Sequence, residues 1–234
     1  MNQVSEITAD AQAVLHFAGQ VFEPLPSGAV FWPARNTLLV ADLHLEKMSS
    51  FARGGHFLPP YDTGMTLQRL EADLTVSGAA SLIALGDSFH RDDGVFTLQQ
   101  QDRALLDCLV SGVDWIWLSG NHDPTPHALG GVCAPFELLD GIRLTHEPEA
   151  GDDPMIAGHL HPSARVSING RSKRSACCVS DGRLMILPAY GSSTGNLNIL
   201  GVPFHGLLDY GRLQVRMLGR NRVYPISEKR LCLG

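Results

Sequence analysis

The 234-residue chain lacks the features that would assign it to several common classes. No apolar run approaches the roughly 18 residues of a membrane-spanning helix. Its first residues hold Glu6 and Asp10 with no basic cluster ahead of an apolar stretch, so no secretory leader is expected and a cytoplasmic location is. The cysteines, Cys108, Cys133, Cys177, Cys178 and Cys232, are odd in number, include an adjacent pair and form no Cys-x-x-Cys. That excludes zinc-ribbon spacing and argues against a disulfide framework, leaving reduced thiols. Internal repeats, low-complexity tracts and long linkers are absent as well. Hydrophobic residues at 44% and charged residues at 18% make the chain globular rather than disordered, and one α/β domain over residues 1–234 accounts for the length.

Net charge is −6, but it is unevenly spread. Residues 1–164 hold 7 Lys/Arg against 21 Asp/Glu, whereas residues 165–234 hold 11 against 3. A basic third points toward nucleic acid or another phosphate-rich ligand, and equally toward solvated strand faces beside an acidic half that binds cations.

What is present begins at Trp115-Ile116-Trp117-Leu118-Ser119-Gly120-Asn121-His122-Asp123. An apolar run bounded by a turn signal reads as a buried strand, and Gly120 turns the backbone so that three polar side chains emerge beyond its carboxyl end. Open α/β sheets place ligand chemistry there. Four more apolar runs end alike: Leu38–Ala41 in Asp42-Leu43-His44, Leu82–Leu85 in Gly86-Asp87 with His90 following, Ile142–Thr145 in His146, and Pro154–Ala157 in Gly158-His159-Leu160-His161. If extended, Asp42 and His44 share one side, as do His159 and His161, with Leu43 and Leu160 turned to the core.

Asp62 is placed to cap a helix whose apolar side is Leu67, Leu70 and Leu74, and a second helix after His90 turns Leu98, Leu105, Leu106 and Leu109 inward. Strand, helix, strand, helix, strand makes parallel βαβ units. From Phe136 onward the pattern becomes hairpins, with two-residue turns expected at Asp140-Gly141, Asn169-Gly170 and Asp181-Gly182. The loop Glu46–Pro60 is a candidate rim, from which Arg53 can reach a phosphate. The loop Leu187–Gly195 is either an anion-binding stretch or a plain connection.

Imidazole and carboxylate ligation without thiolate suits Mn²⁺, Fe or Zn. Seven candidate ligands (Asp42, His44, Asp87, Asn121, His146, His159 and His161) exceed one coordination sphere, so two divalent transition-metal ions are expected, manganese first. Asp87, alone at its strand end, is the natural bridge. Such a pair polarises a phosphoryl group and yields hydroxide near neutral pH. His122 is placed to protonate the leaving oxygen, with Asp123 beside it to fix its orientation and tautomer.

In this order the five motifs resemble the calcineurin-like metallophosphoesterase superfamily over residues 42–161. The resemblance implies a metallophosphoesterase-type sandwich of two mixed β-sheets flanked by helices. It assigns Asp42, His44, Asp87 and His161 to one metal and Asp87, Asn121, His146 and His159 to the other, with His122 as proton donor. One departure is His90, where many members carry Asp or Asn. Gly-Asp-x-Phe-His is instead similar to the nuclease subunit of the double-strand-break repair complex, where that His contacts the phosphate. Ala41–Lys47, Gly86–His90, Gly158–Pro162 and Leu187–Gly191 together resemble the bacterial ligase-associated DNA-damage-response endonucleases. That implies a DNA phosphodiesterase, with a DNA ligase and a helicase as partners. If DNA is the substrate, the basic C-terminal third makes Arg171, Lys173 and Arg174, on the hairpin expected after Asn169-Gly170, the candidates for gripping its backbone. A hydrolase of small nucleotides, lipid headgroups or other small phosphates is the alternative. Oligomeric state is left open, a homodimer included.

Overall fold

The computed structural model describes residues 13–49, 61–168 and 170–233. Its centre grows from strands whose interior positions are all apolar because both of their faces are covered. In β4 (Thr37–Val40), Leu38 and Val40 pack with Leu67, Leu70 and Leu106, while Leu39 packs with Ile142, Ile156 and Met185. β5 (Ser81–Ala84) repeats the split, Leu82 and Ala84 one way and Ile83 the other. The two-residue period of a strand thus feeds two cores at once. Each such Leu or Ile stabilises the fold by about 1.5–3 kcal/mol relative to its exposed state.

The first sheet also contains β1 (Leu15–Phe17), β2 (Gln20–Pro24), β3 (Val30–Trp32), β6 (Asp114–Leu118) and β7 (Val132–Ala134), in sequential order. β1 to β4 pair antiparallel, and β4 to β7 pair parallel. The crossovers are α1 (Asp62–Ser77) and α2 (Gln100–Gly112), as the leucine spacing predicts. Asp62 does not cap α1. It is the first helical residue, and its carboxylate accepts from the Met48 N–H at 3.0 Å. An acid in the first turn still meets the positive end of the helix dipole. Neither helix is long and apolar enough to cross a membrane.

The second sheet is also mixed. β8 (Glu137–Leu139), β9 (Ile142–Leu144), β10 (Met155–Ala157), β11 (Pro162–Ile168), β12 (Arg171–Ser180), β13 (Leu184–Ile186) and β14 (Leu197–Asn198) run in the order β14-β11-β12-β13-β10-β9-β8. β15 (Gln214–Leu218) branches from β12 and pairs with β16 (Val223–Ile226). Ile156, Cys178 and Met185 face the first sheet, while Ala157, Val179 and Ile186 face a third cluster with Phe204 and Leu208. The segment covering that outer face carries short 3₁₀ turns at Val202–Phe204 and Tyr210–Arg212, where the family resemblance implies a helical layer. The tight turn expected at Asp140-Gly141 is present, since Leu139 pairs with Ile142; Ile168 pairs with Arg171, and Asn169 between them lies outside the described residues. The third is wider: Ser180 pairs with Met185, and the Asp181 carboxylate accepts from the Arg183 and Leu184 N–H groups at 2.9 and 2.8 Å. An aspartate that satisfies two turn amides itself replaces the two-residue geometry.

Candidate metal centre

β4, β5 and β6 point their carboxyl ends the same way, as do β9, β10 and β13, and the polar motifs follow these ends. The sheets are laced together there. Tyr190 N–H donates to Ala41 O at 2.8 Å, and Gly191 N–H to Asp42 O at 3.0 Å. The segment after Leu187 is therefore a strut beneath Asp42, and these amides are spent on backbone carbonyls rather than on an anion.

The expected extended geometry at these motifs is not what forms. Asp42, His44, Asp87, His159 and His161 all have positive φ, between 43° and 68°. Left-handed backbone disfavours residues with a Cβ, and such strain concentrates where function over-determines position. His44 N–H donates to Asp87 O at 2.9 Å and Leu45 N–H to Ser88 O at 2.9 Å, holding two strained loops together. Alternation survives by another route, with Leu43 and Leu45 in the helix-side core while Asp42 and His44 face the cluster. Gly120 has a reason beyond turning. A Cβ there would sit 2.1 Å from the Asp87 nitrogen, so only glycine permits the approach.

The sequence-predicted ligands converge. Asp42, His44 and His161 form one group of potential ligand atoms, and Asp42, Asp87 and His146 a second. Asp87 faces both, with Oδ2 3.8 Å from His44 Nε2 and Oδ1 3.3 Å from His146 Nε2. His161 Nε2 lies 3.2 Å from Asp42 Oδ1 and 3.4 Å from His44 Nε2. Asn121 Oδ1 and His159 Nδ1 lie 2.9 and 3.2 Å from His146 Nε2.

The proton inventory tests whether a cation suits this cluster. His146 Nδ1 donates to Leu85 O at 2.9 Å, and His161 Nδ1 faces Gly195 O at 3.1 Å. Those carbonyls fix each proton on Nδ1 and aim the Nε2 lone pair inward, the usual orientation of a metal-bound imidazole. His44 Nδ1 is buried without a hydrogen-bond partner. Lone pairs and carboxylate oxygens at hydrogen-bond distance repel unless a proton or a cation lies among them. Burial works to lower the His146 pKa, but hydrogen bonding to Asp87 and the charges of Asp42 and Asp87 push it up to about 9. Burial works to raise Asp87, but the His146 contact and the His122 N–H hold it at about 2. Burial takes His44 down to about 3, the neutral form that ligates. The donor set fits divalent metal ions, with Asp42, His44, Asp87, Asn121, His146, His159 and His161 as the residues able to hold them.

Two further histidines stand at the rim. The His90 and His122 rings stack with centroids 5.1 Å apart, and His44 lies 5.5 and 5.3 Å from them. His122 Nε2 is 3.8 Å from Asp87 Oδ2, and its side chain is 42% exposed, open to an incoming substrate. Asp123 is not placed to orient that ring. Its Oδ1 accepts from Gly120 N–H at 3.1 Å and its Oδ2 from Phe89 N–H at 3.0 Å, so it ties the His122 loop to the His90 loop. An aspartate one residue along a tight turn satisfies turn amides first. Burial, aided by the Asp87 charge, pushes its pKa up to about 7.

The basic candidates divide. Arg53 lies outside the described residues. Arg171, Lys173 and Arg174 are all exposed, but Arg171 and Lys173 share one face of β12 whereas Arg174 takes the other. Its Nε donates to Ser163 Oγ at 2.9 Å and its guanidinium also reaches Asn196 O, beside the Gly195 carbonyl that holds His161. Arg174 is therefore a brace for the His161 loop, not a free cation.

Sequence reading missed Glu46 as a structural centre. Buried at 4% exposure, it accepts from Thr63 Oγ1 at 3.1 Å, Ser49 Oγ at 2.7 Å and Thr97 Oγ1 at 3.3 Å. It also missed Asp73, which accepts from the Tyr190 hydroxyl at 2.8 Å while Arg69 lies over the ring at 4.4 Å. Their decisive partners, Thr63 and Thr97 for Glu46 and Tyr190 for Asp73, are distant in the chain, so local spacing does not reveal them.

No family model and no curated protein matches the sequence. Among solved structures, the nuclease MPE of Pseudomonas putida is similar at 28% identity and a TM-score of 0.68, over 91% of this chain and 98% of that one. YfcE, a phosphoesterase from E. coli, aligns at 16% identity with a TM-score of 0.40, over 81% and 97%. The second likeness is too distant to carry weight. The first covers nearly the whole fold, and with the five strand-end motifs it makes this a calcineurin-like metallophosphoesterase architecture.

Proposed function

We propose that this chain is a metal-dependent phosphoesterase that cleaves phosphodiester bonds in DNA. The observation that carries the reading is the inward-facing set of Asp42, His44, Asp87, His146 and His161, with the stacked pair His90 and His122 open at its edge. When bound, a pair of divalent transition metals polarises the phosphoryl group and brings the pKa of a water near neutrality. Asp87, with an oxygen toward each ligand group, would be the residue shared by such a pair, and mixed imidazole and oxygen donors suit Mn²⁺, Fe or Zn, manganese taken first. His90 orients the phosphate, and His122 gives a proton to the departing oxygen. Asp123 holds the two loops in register, so that both rings meet one phosphate.

The similarity to a nuclease supports a nucleic-acid substrate, as does the exposed pair Arg171 and Lys173. A role in DNA repair beside a ligase and a helicase follows from the family resemblance of the motifs. The tie between Arg174 and the His161 loop favours the second reading, a small phosphate substrate, because it draws one guanidinium away from the face that carries Arg171 and Lys173. Cleavage of single-stranded and duplex DNA, a chromogenic diester and a monoester should be measured under defined Mn²⁺, with a chelated control. DNA and diester hydrolysis that require metal uphold the proposal. Monoester hydrolysis with intact DNA replaces it by the second reading.

A further inference from the structure

The loops presenting His90 and His122 continue past those rings to enclose a second feature. Beyond His90 the chain makes the 3₁₀ turn Asp92–Phe96, and beyond His122 it runs through Thr125 to Leu129. Thr125 N–H donates to Asp92 Oδ1 at 3.0 Å, and Phe89 N–H to Asp123 Oδ2 at 3.0 Å, clamping one loop to the other. Between them and α2 lies a pocket of about 360 Å³, lined in part by Asp92, Val95, Phe96, Arg103, Thr125 and His127. Asp92 is two residues from His90 and Thr125 three from His122, so the pocket wall begins within a few residues of both on the same two loops.

Phe96 is the most exposed large apolar side chain among the described residues, at 87%. Scattered exposed apolar residues are ordinary and need no explanation. This one is held out by a fixed turn. Gly94 and Val95 are buried, a Cβ on Gly94 would already press the Phe89 side chain at 3.2 Å, and Gly94 N–H donates to Arg91 O at 2.9 Å. Thr97 continues the anchor, its hydroxyl reaching Glu46 Oε2 at 3.3 Å. Across the pocket, Arg103 Nε is gripped by both Asp107 oxygens at 2.8 and 2.9 Å, which fixes its guanidinium. The result is an aromatic side chain on an anchored turn, a guanidinium paired with Asp107 and the Asp92 carboxylate around a space of nucleotide size, on the loops that carry His90 and His122.

We propose that this pocket receives an unpaired nucleobase of the DNA strand whose phosphate lies against His90 and His122, an assignment that rests on the nuclease reading above. A base stacks on Phe96 whatever its identity, because every base has a π-face. Arg103 meets base carbonyl oxygens and Asp92 meets exocyclic amines, so the pocket tolerates sequence while demanding an unstacked base. A base held in a duplex offers no free face to the pocket.

The test uses the full chain with Mn²⁺, comparing the wild type with Phe96→Ala and Phe96→Trp. Substrates are a single-stranded oligonucleotide, the same oligonucleotide with an abasic residue beside the cleaved bond, and a small chromogenic diester. In Phe96→Ala the ratio of kcat/KM on the oligonucleotide to that on the diester should fall roughly tenfold, and Phe96→Trp should restore it. The abasic residue should cost the wild type a comparable factor and Phe96→Ala little. An unchanged ratio in Phe96→Ala overturns the base pocket and leaves the nuclease reading standing. Equal loss on both substrates also overturns it, showing Phe96 to be only a support of the metal site. Diester hydrolysis by the wild type without any DNA cleavage removes the nuclease reading and the pocket with it.

Discussion

The strand-end cluster and the β11–β12 hairpin treat charged side chains in opposite ways. At the strand ends several groups are placed by a backbone partner: His146 by Leu85 O, His161 by Gly195 O, and the Asp42 carboxylate by His159 N–H at 3.0 Å. On the hairpin, Arg171 and Lys173 stand in solvent on one face of a strand. Chemistry at a phosphorus centre requires atoms placed to fractions of an ångström, and strained backbone with interlocked loops supplies that. Holding a polyanion requires only positive charge along its path, and flexible exposed side chains suffice. If this contrast is right, substitutions at the two sites should differ in size and in kind.

Asp87→Asn should give the largest effect. It removes the negative charge facing both ligand groups, and metal and activity should be lost together. The loss should exceed about 100-fold, the upper range for an outer-shell partner alone. Metal content of the reconstituted protein, measured beside turnover, checks this; full metal with lost activity would instead make Asp87 a catalytic base.

His122→Ala should separate the two properties. Metal should stay bound while turnover falls by about 10²–10⁴-fold, the range for a lost proton donor. The deficit should be much smaller for a nitrophenolate leaving group, which departs without a proton. Equal deficits on both leaving groups would recast His122 as a stabiliser of phosphate charge.

The third expected effect is a pH dependence confined to the cluster. A histidine whose folded pKa stands near 9, against about 6.5 unfolded, contributes stability below pH 6.5 that is lost as pH rises through 9. Metal must displace that same proton, so its apparent affinity should rise by about tenfold per pH unit between these limits. The rise in Tm on adding Mn²⁺ should therefore grow from pH 6.5 to pH 9. A metal-induced shift that stays flat over this window would show that His146 keeps no proton in the metal-free fold.

Much of the site was legible because its signal is local. Five apolar runs each stop at a polar motif, and sheet geometry then brings their ends together without further information. The alternation of Leu38, Leu39 and Val40 and the leucine stripe of α1 are local in the same way. What escaped depended on distant partners or on backbone strain. The spacing of Asp42 and His44 gave the right facing for the wrong reason, since the backbone is left-handed rather than extended. Asp123 looked like a partner for its neighbour His122 until Phe89 N–H, 34 residues away, claimed its second oxygen. Arg174 read as a free cation because Asn196 is 22 residues further on. Side-chain inventories travel well from sequence to structure; side-chain allegiances do not.

The smallest expected effect lies on the hairpin, and it turns on that division among its basic residues. Arg171 and Lys173 face solvent together, so replacing both with Gln removes at most two phosphate contacts. On single-stranded DNA the slope of log affinity against log salt should become shallower by about 1.4, and on duplex by about 1.8. Arg174→Gln should behave differently. Its guanidinium braces the Asn196 carbonyl, and the neighbouring Gly195 carbonyl fixes the His161 tautomer. The single change should leave the salt slope alone and instead weaken metal binding by about 10–100-fold, as outer-shell losses do. Binding is measured by salt titration with Mn²⁺ present in a His122→Ala background, and metal affinity by titration of the metal-free protein. A slope altered by Arg174→Gln as much as by either solvent-facing residue would place all three in one phosphate-gripping row and erase the contrast between placed and free charge on this strand. A slope unmoved by the double change would make the hairpin an ordinary solvated surface, leaving DNA to be held by the loops around His90 and His122 alone.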